Sequence, residues 1–255
     1  MTTKTLLHLT DLHVFADRTR RHYDSDPFDN LQQVLQTSLQ ARTPDVILLS
    51  GDLCQDESAG GYEQLSALFG EIPAAVLALP GNHDDLTLMQ THLRGANIQV
   101  LGDVSQGEWR IVAANCAVAG KVYGRFGASR LADLDQTLNA APEAPTVLSF
   151  HQPPIACGSE WLDQSMLQDA DELAALLQAH PQVKVILCGH IHQPLEIDWQ
   201  VGEHAVRVMT TPSTARQFGV QQDPFTLTDE APGWRWLTLA ADGSAYETAV
   251  VRLSA

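Results

Sequence analysis

Five short aliphatic runs punctuate the chain, and each stops at an acid, an amide or an imidazole. Residues 5–9 lead into Thr10-Asp11-Leu12-His13, and residues 46–49 into Ser50-Gly51-Asp52. Residues 75–79 pass a Pro80-Gly81 turn into Asn82-His83-Asp84-Asp85, residues 146–150 meet His151, and residues 183–188 meet Gly189-His190-Ile191-His192. Runs this short and this uniformly apolar suit strands covered on both faces. Helical spacing appears between several of them. Asp26-Pro27 reads as an N-cap with Pro at the first helical position, followed by Phe28, Leu31, Leu35 and Leu39. Leu131, Leu134 and Leu138 follow Ser129, read as another cap, and Leu173, Leu176 and Leu177 precede a stop at His180-Pro181. Strands alternating with helices predict βαβ units and a largely parallel, layered sheet.

The last third differs. Residues 195–201 and 205–209 flank Gly202-Glu203, and residues 234–240 and 244–253 flank Asp242-Gly243. Both read as hairpins, so this part is expected to be antiparallel. No linker or composition break divides the chain, and residues 1–255 are read as one domain.

Composition narrows the partners. With 31 acids against 15 bases and a net charge of -16, the chain lacks a basic footprint for nucleic acid and gains nothing from an anionic membrane surface. The N-terminus, broken at His8, is a poor signal peptide, and no run has the length of a membrane helix. Cys54, Cys116, Cys157 and Cys188 stand without CxxC spacing and read as reduced thiols. The expectation is a cytoplasmic protein that acts on a small molecule.

In α/β sheets, ligands gather where strands release their carboxyl ends. The residues expected to converge there are Asp11, His13, Asp52, Asn82, His151, His190 and His192, with His83 beside them. A lone DxH or GD is weak, because most are turns or satisfied polar pairs. GNHD and GHIH are more specific, since two histidines at i and i+2 of an extended segment point the same way. Seven oxygen and nitrogen donors exceed what one zinc ion takes. They suit two divalent or trivalent transition metals sharing a carboxylate, a centre fit for in-line displacement at phosphorus. The remaining histidines receive bland roles: His8 in a strand, His180 at a helix end or on the surface, His92 and His204 unassigned, and His22 in the charged loop 17–26, either bordering the pocket or outside it, with the place outside preferred.

Asp11-Leu12-His13, Gly51-Asp52, Gly81-Asn82-His83-Asp84, His151 and Gly189-His190-Ile191-His192 together resemble the five-block signature of calcineurin-like metallophosphoesterases. The segment Gly51-Asp52-Leu53-Cys54-Gln55-Asp56 is similar to the GDL form of the class III cyclic-nucleotide phosphodiesterases. Residues 157–164, 187–193, 211–214, 217–218 and 232–235 resemble the bacterial cyclic-AMP branch of that class. The resemblance implies a four-layer α/β/β/α sandwich, two mixed sheets flanked by helices. It implies Asp11, His13, Asp52 and His192 on one metal, and Asp52, Asn82, His151 and His190 on the other, with Asp52 bridging. Fe and/or Mn are the implied metals, with Zn as a third option. The implied reaction is hydrolysis of 3′,5′-cyclic AMP to 5′-AMP by a metal-activated hydroxide, with His83 as general acid and His13, Asp52, Asn82, His83 and His192 lining the phosphate. Another small phosphodiester, such as a glycerophosphodiester, is the alternative substrate, and a non-catalytic scaffold the alternative role. Asp84 either orients His83 or caps the next helix; the cap is preferred. The loops 211–214 and 157–161 are candidates for holding the base, and the loop 15–27 has no assigned role.

Overall fold

The computed structural model describes residues 3–254. In chain order its elements are β1 (Lys4–Leu9), α1 (Pro27–Ala41), β2 (Val46–Ser50), α2 (Ala59–Gly70), β3 (Ala75–Leu79), α3 (Leu86–His92), β4 (Ile98–Val100), β5 (Gly102–Gln106) and β6 (Trp109–Ala113). There follow α4 (Gly127–Asn139), β7 (Thr146–Ser149), α5 (Glu160–Asp163), α6 (Ala170–Leu177), β8 (Val183–Cys188), β9 (Glu196–Val201), β10 (His204–Thr210), β11 (Gln217–Phe218), β12 (Leu227–Thr228), β13 (Gly233–Leu239) and β14 (Tyr246–Arg252).

Two six-stranded sheets carry the fold, in the orders β14-β13-β1-β2-β3-β4 and β5-β6-β7-β8-β10-β9. Strands β1 to β4 run parallel, as do β6, β7, β8 and β10, and antiparallel strands extend the edges. Both sheets are therefore mixed.

The apolar runs lack alternation because both faces of the central strands are covered. In β2, Val46 and Leu48 belong to the cluster between the sheets, with Leu6, Leu77, Ile111, Val147 and Val185. Ile47 and Leu49 point the other way and pack with Leu31 and Val34 of α1 and Leu65 of α2. On the second sheet, Leu148 and Ile186 meet Leu134 and Leu138 of α4 and Leu173 and Leu177 of α6. Three apolar layers between four structural layers make the α/β/β/α sandwich. Burial of each such leucine contributes roughly 1.5–3 kcal/mol.

Asp26 caps α1 as expected, accepting from Asp29 N–H with Pro27 in the first turn. Two expectations are corrected. Helix α4 starts at Gly127, ahead of Ser129, and the Asp169 carboxylate, 42 residues on, meets the Phe126 and Gly127 N–H groups at 3.1 and 2.7 Å. The C-terminal third is not wholly antiparallel either, because β10 pairs parallel with β8 while forming its hairpin with β9. The four cysteines are buried and free. Among the described residues, no helix is long and apolar enough to cross a membrane.

Candidate metal centre

Strands β1, β2 and β3 of the first sheet and β7 and β8 of the second end along one edge of the sandwich. The segments leaving them bring Asp11, His13, Asp52, Asn82, His83, His151, His190 and His192 together. Asp11, His13, Asp52, His190 and His192 all have left-handed backbones, with φ between 47° and 72°. Each such conformation in a non-glycine residue costs on the order of 1 kcal/mol and collects at functional sites. The turns leave little space. A Cβ on Gly51 (φ 99°) would sit 2.5 Å from His151 Nδ1, and one on Gly189 would sit 2.8 Å from Asp11 Oδ2. Cross-sheet bonds then fix the exits: His151 Nδ1 lies 2.8 Å from Ser50 O, and His190 N–H donates to Asp11 Oδ2 at 3.0 Å.

Two buried groups result, Asp11-His13-His192 and Asp52-His151-His190, with donor atoms in each within 4.8 Å of one another. Asp52 Oδ2 stands between them, 3.4 Å from His151 Nε2 and 3.9 Å from His13 Nε2. Asp11 Oδ1 is 3.3 Å from His192 Nε2. Asn82 lines the adjoining cavity, its Oδ1 3.3 Å from Gln152 Nε2.

The tautomers favour cations at this centre. His13 Nδ1 is 2.5 Å from Gln55 Oε1, His192 Nδ1 is 2.6 Å from Arg216 O, and His151 Nδ1 faces Ser50 O. Each partner is an acceptor, so each Nδ1 carries a proton and Nε2 is the ring atom turned inward toward a cation. The Nε2 atoms of His13 and His192 are only 3.1 Å apart, and buried His151 Nε2 has no hydrogen-bond partner among the described residues. In the remaining histidine, Ser165 Oγ takes His190 Nε2 at 2.8 Å, leaving Nδ1 for a metal. Lone pairs facing one another beside two buried carboxylates are costly unless positive charge lies between them.

Titration agrees. Burial pushes His13 down to about 4 and His190 to about 3, which keeps both in the neutral form that metals bind. Burial also opposes charge on His151, but the Asp52 carboxylate, helped by Asp11, holds it up at about 9. Burial opposes ionisation of Asp11, yet the His192 and His151 imidazoles bring it down to about 2. The centre thus draws positive charge even from its own side chains.

His83 is half-buried at the cavity wall, and its N–H donates to Asp52 Oδ1 at 2.8 Å. Its Nδ1 lies 3.3 Å from Gln55 Nε2. Because Gln55 Oε1 is engaged by His13, the amide NH₂ faces His83, and Nε2 is left to offer a proton to a substrate oxygen. Gln55 escaped the sequence reading, as an amide between Cys54 and Asp56 in a loop carries no periodic signal.

Several expectations are corrected here. Asp85 caps α3, accepting from Leu88 N–H. Asp84 instead accepts from the N–H groups of Leu53, Cys54 and Gly81 and from the Tyr62 hydroxyl, which locks the loop after β2 to the loop after β3. His22 lines the pocket and stacks on His13, with centroids 4.2 Å apart and rings inclined by 10°. His180 is buried, with Nε2 2.7 Å from Asp135 Oδ1, so it is not a surface group. The 211–214 loop does not reach a base site: Thr211, Ser213 and Thr214 are fully buried, with Thr211 Oγ1 on His8 and Ser213 Oγ on Asp11 O.

Above the two groups opens a cavity of about 580 Å³. His13, Asp52, Asn82, His83, His190 and His192 form its floor, and aromatic side chains form much of its wall. That volume suits a small molecule.

A family model described as calcineurin-like phosphoesterase matches residues 4–194. The chain is 38% identical over 251 residues to the 3′,5′-cyclic adenosine monophosphate phosphodiesterase CpdA of Escherichia coli (strain K12), covering 98% of this chain and 90% of that one. It is 33% identical over 240 residues to a 3′,5′-cyclic-nucleotide phosphodiesterase of Nostoc, covering 94% and 89%. Among solved structures, a dimetal phosphatase from Danio rerio superposes with a TM-score of 0.66 at 14% identity, covering 98% and 99%, a likeness of fold.

Proposed function

We infer the reaction from this centre and from one premise: the chain belongs to the calcineurin-like phosphoesterase family. It is a metal-dependent phosphodiesterase, and its substrate is 3′,5′-cyclic AMP, hydrolysed to 5′-AMP. The observation that carries this reading is the pair of buried donor groups sharing Asp52 beneath a cavity that His83 borders.

Asp11, His13, Asp52 and His192 would hold one ion, and Asp52, Asn82, His151 and His190 the other. Nitrogen and oxygen donors without thiolate favour Fe or Mn, with Zn a third candidate. When bound, the pair supplies positive charge for the phosphate oxygens and makes water available as a nucleophile near neutral pH. The chain's own residues do the rest. His13, Asp52, Asn82, His83 and His192 surround the phosphate and set its orientation. His83 offers its Nε2 proton to the departing ribose oxygen, while Gln55 keeps Nδ1 occupied. Ser165, Arg216 and Ser50 hold the imidazoles of His190, His192 and His151 in their productive tautomers. The four free thiols suit a reducing compartment, and we place the enzyme in the cytoplasm.

The test is turnover on a panel of diesters. Protein treated with chelator should lose hydrolysis of cyclic AMP and regain it with Mn²⁺ or Fe²⁺. Brisk hydrolysis of a glycerophosphodiester with none of cyclic AMP would replace the substrate. Full activity in protein free of metal by elemental analysis would sink the metal centre.

A further inference from the structure

The cavity has a second half that the metal chemistry does not use. Two aromatic series climb from its floor. On one side His22 stacks on His13, and Tyr23 lies against His22 with centroids 4.6 Å apart. On the other, Phe218 stacks on His192 at 3.8 Å and 12°, and Trp161 and Phe225 pack on Phe218 at 5.4 and 5.5 Å. The series meet at the rim, where Tyr23 and Phe225 stack at 5.8 Å.

This wall is anchored. The Asp223 carboxylate accepts from the N–H groups of Glu160 and Trp161, and Trp161 Nε1 donates to Gln222 O. Arg216, whose carbonyl meets His192 Nδ1, pairs with Asp24 beside Tyr23 at 3.2 Å. Yet Tyr23 is 51% exposed and Phe225 43%, so two large aromatic rings are fixed at an opening without being buried there. Rigid aromatic faces bordering a small-molecule cavity are stacking platforms for flat rings.

We propose that Tyr23, Trp161 and Phe225 form the stacking wall that receives the nucleobase of the substrate, and so set its preference for cyclic nucleotides over smaller diesters. The proposal rests on the phosphodiesterase reading above. Phosphate on the floor directs the remainder of the molecule up the wall, and a purine is the part of cyclic AMP that is flat, apolar on its faces and distant from phosphorus. Both ends of the platform are tied to imidazoles at the metal centre, through His22 on His13 and Phe218 on His192, so base and phosphate are positioned by one rigid unit.

The experiment compares kcat/KM for cyclic AMP with that for its base-free counterpart, methyl riboside 3′,5′-cyclic phosphate, using Mn²⁺-loaded protein. The ratio should exceed one clearly in the wild type. In Phe225→Ala, and further in Tyr23→Ala/Phe225→Ala, it should fall by about 5- to 150-fold, the range for one base stacked on an aromatic ring. Phe225→Trp should retain it. A wild-type ratio near one, or a ratio unmoved by the alanine variants, overturns the wall while leaving the phosphodiesterase intact. No hydrolysis of either compound overturns the phosphodiesterase reading, and the wall with it.

Discussion

His13 and His192 present their Nε2 atoms to each other at 3.1 Å, although both rings spend their Nδ1 protons on oxygen acceptors. The pair is an arrangement that a shared positive charge relieves. Metal binding to the folded form should therefore raise stability by mass action, by about 2.7 kcal/mol at a hundredfold excess over Kd. For a chain of this size that corresponds to a rise of roughly 5–10 °C in Tm. Thermal unfolding of chelated and Mn²⁺-loaded protein checks it. Identical curves at saturating metal would argue that the two imidazoles face each other for another reason.

Asp52 connects the two groups, with Oδ2 within 3.9 Å of both His13 and His151. Its other oxygen receives the His83 N–H. Asp52→Ala should lower metal content in elemental analysis and cost more activity than loss of any single imidazole. A variant that keeps two metals per chain and normal turnover would place the bridge elsewhere.

His83 should separate proton delivery from metal binding. His83→Ala is expected to keep both ions yet lose roughly 10²- to 10⁴-fold in turnover of cyclic AMP, whose alkoxide leaving group needs protonation. With a nitrophenyl diester the loss should be far smaller, because that leaving group departs without help. Equal losses on both substrates would remove the acid role and leave His83 with phosphate binding alone.

The motif residues were legible because each stands at the first turn after an aliphatic run, a local signal that survives without tertiary information. The runs themselves read clearly because both faces of β1, β2, β3, β7 and β8 are covered, which removes polar interruptions. What depends on distant partners was not legible. Asp169 serves α4 from 42 residues away, so the local Ser129 looked like the cap. Asp84 and Asp85 are equivalent in sequence, and only the position of Tyr62 and the Leu53 N–H separates the loop tie from the helix cap. His22, Tyr23 and Phe225 lie in loops and Phe218 in the two-residue strand β11, all without a periodic signal, and their shared wall exists only once the fold has brought these segments together.

Asp84 yields a stability prediction. Tyr62, itself fully buried, donates to Asp84 Oδ1 at 2.9 Å and accepts from Asp85 N–H at 3.0 Å. Tyr62→Phe removes both bonds and leaves a half-buried carboxylate short of one donor. The cost should be on the order of 2 kcal/mol, the scale for hydrogen bonds to charged groups. Denaturant unfolding measures it. Activity should fall as well, since the loops held by Asp84 also carry Asp52, Asn82 and His83. A destabilised variant with unaltered kcat would show that the loop tie serves folding alone.

The bond that breaks in cyclic AMP is the sharpest consequence of the proposed roles. One phosphorus is joined to O3′ and O5′ of the same ribose, and in-line attack requires the nucleophile opposite the oxygen that leaves. His83, to which proton delivery is assigned in the proposed mechanism, is fixed to the Asp52 loop by its own backbone N–H and to Gln55 through Nδ1. A single acid beside a fixed pair of donor groups defines one attack line, and a misplacement of about 1 Å is enough to cost on the order of 10²-fold. One product is therefore expected. With O3′ facing His83 that product is 5′-AMP, carrying one solvent oxygen on its phosphate. Incubation of Mn²⁺-loaded protein with cyclic AMP in ¹⁸O-water, followed by chromatography and mass analysis, reads both the isomer and the label. Appearance of 3′-AMP would reverse the orientation and put O5′ against His83, and a mixture would mean that the attack line is not fixed by this geometry.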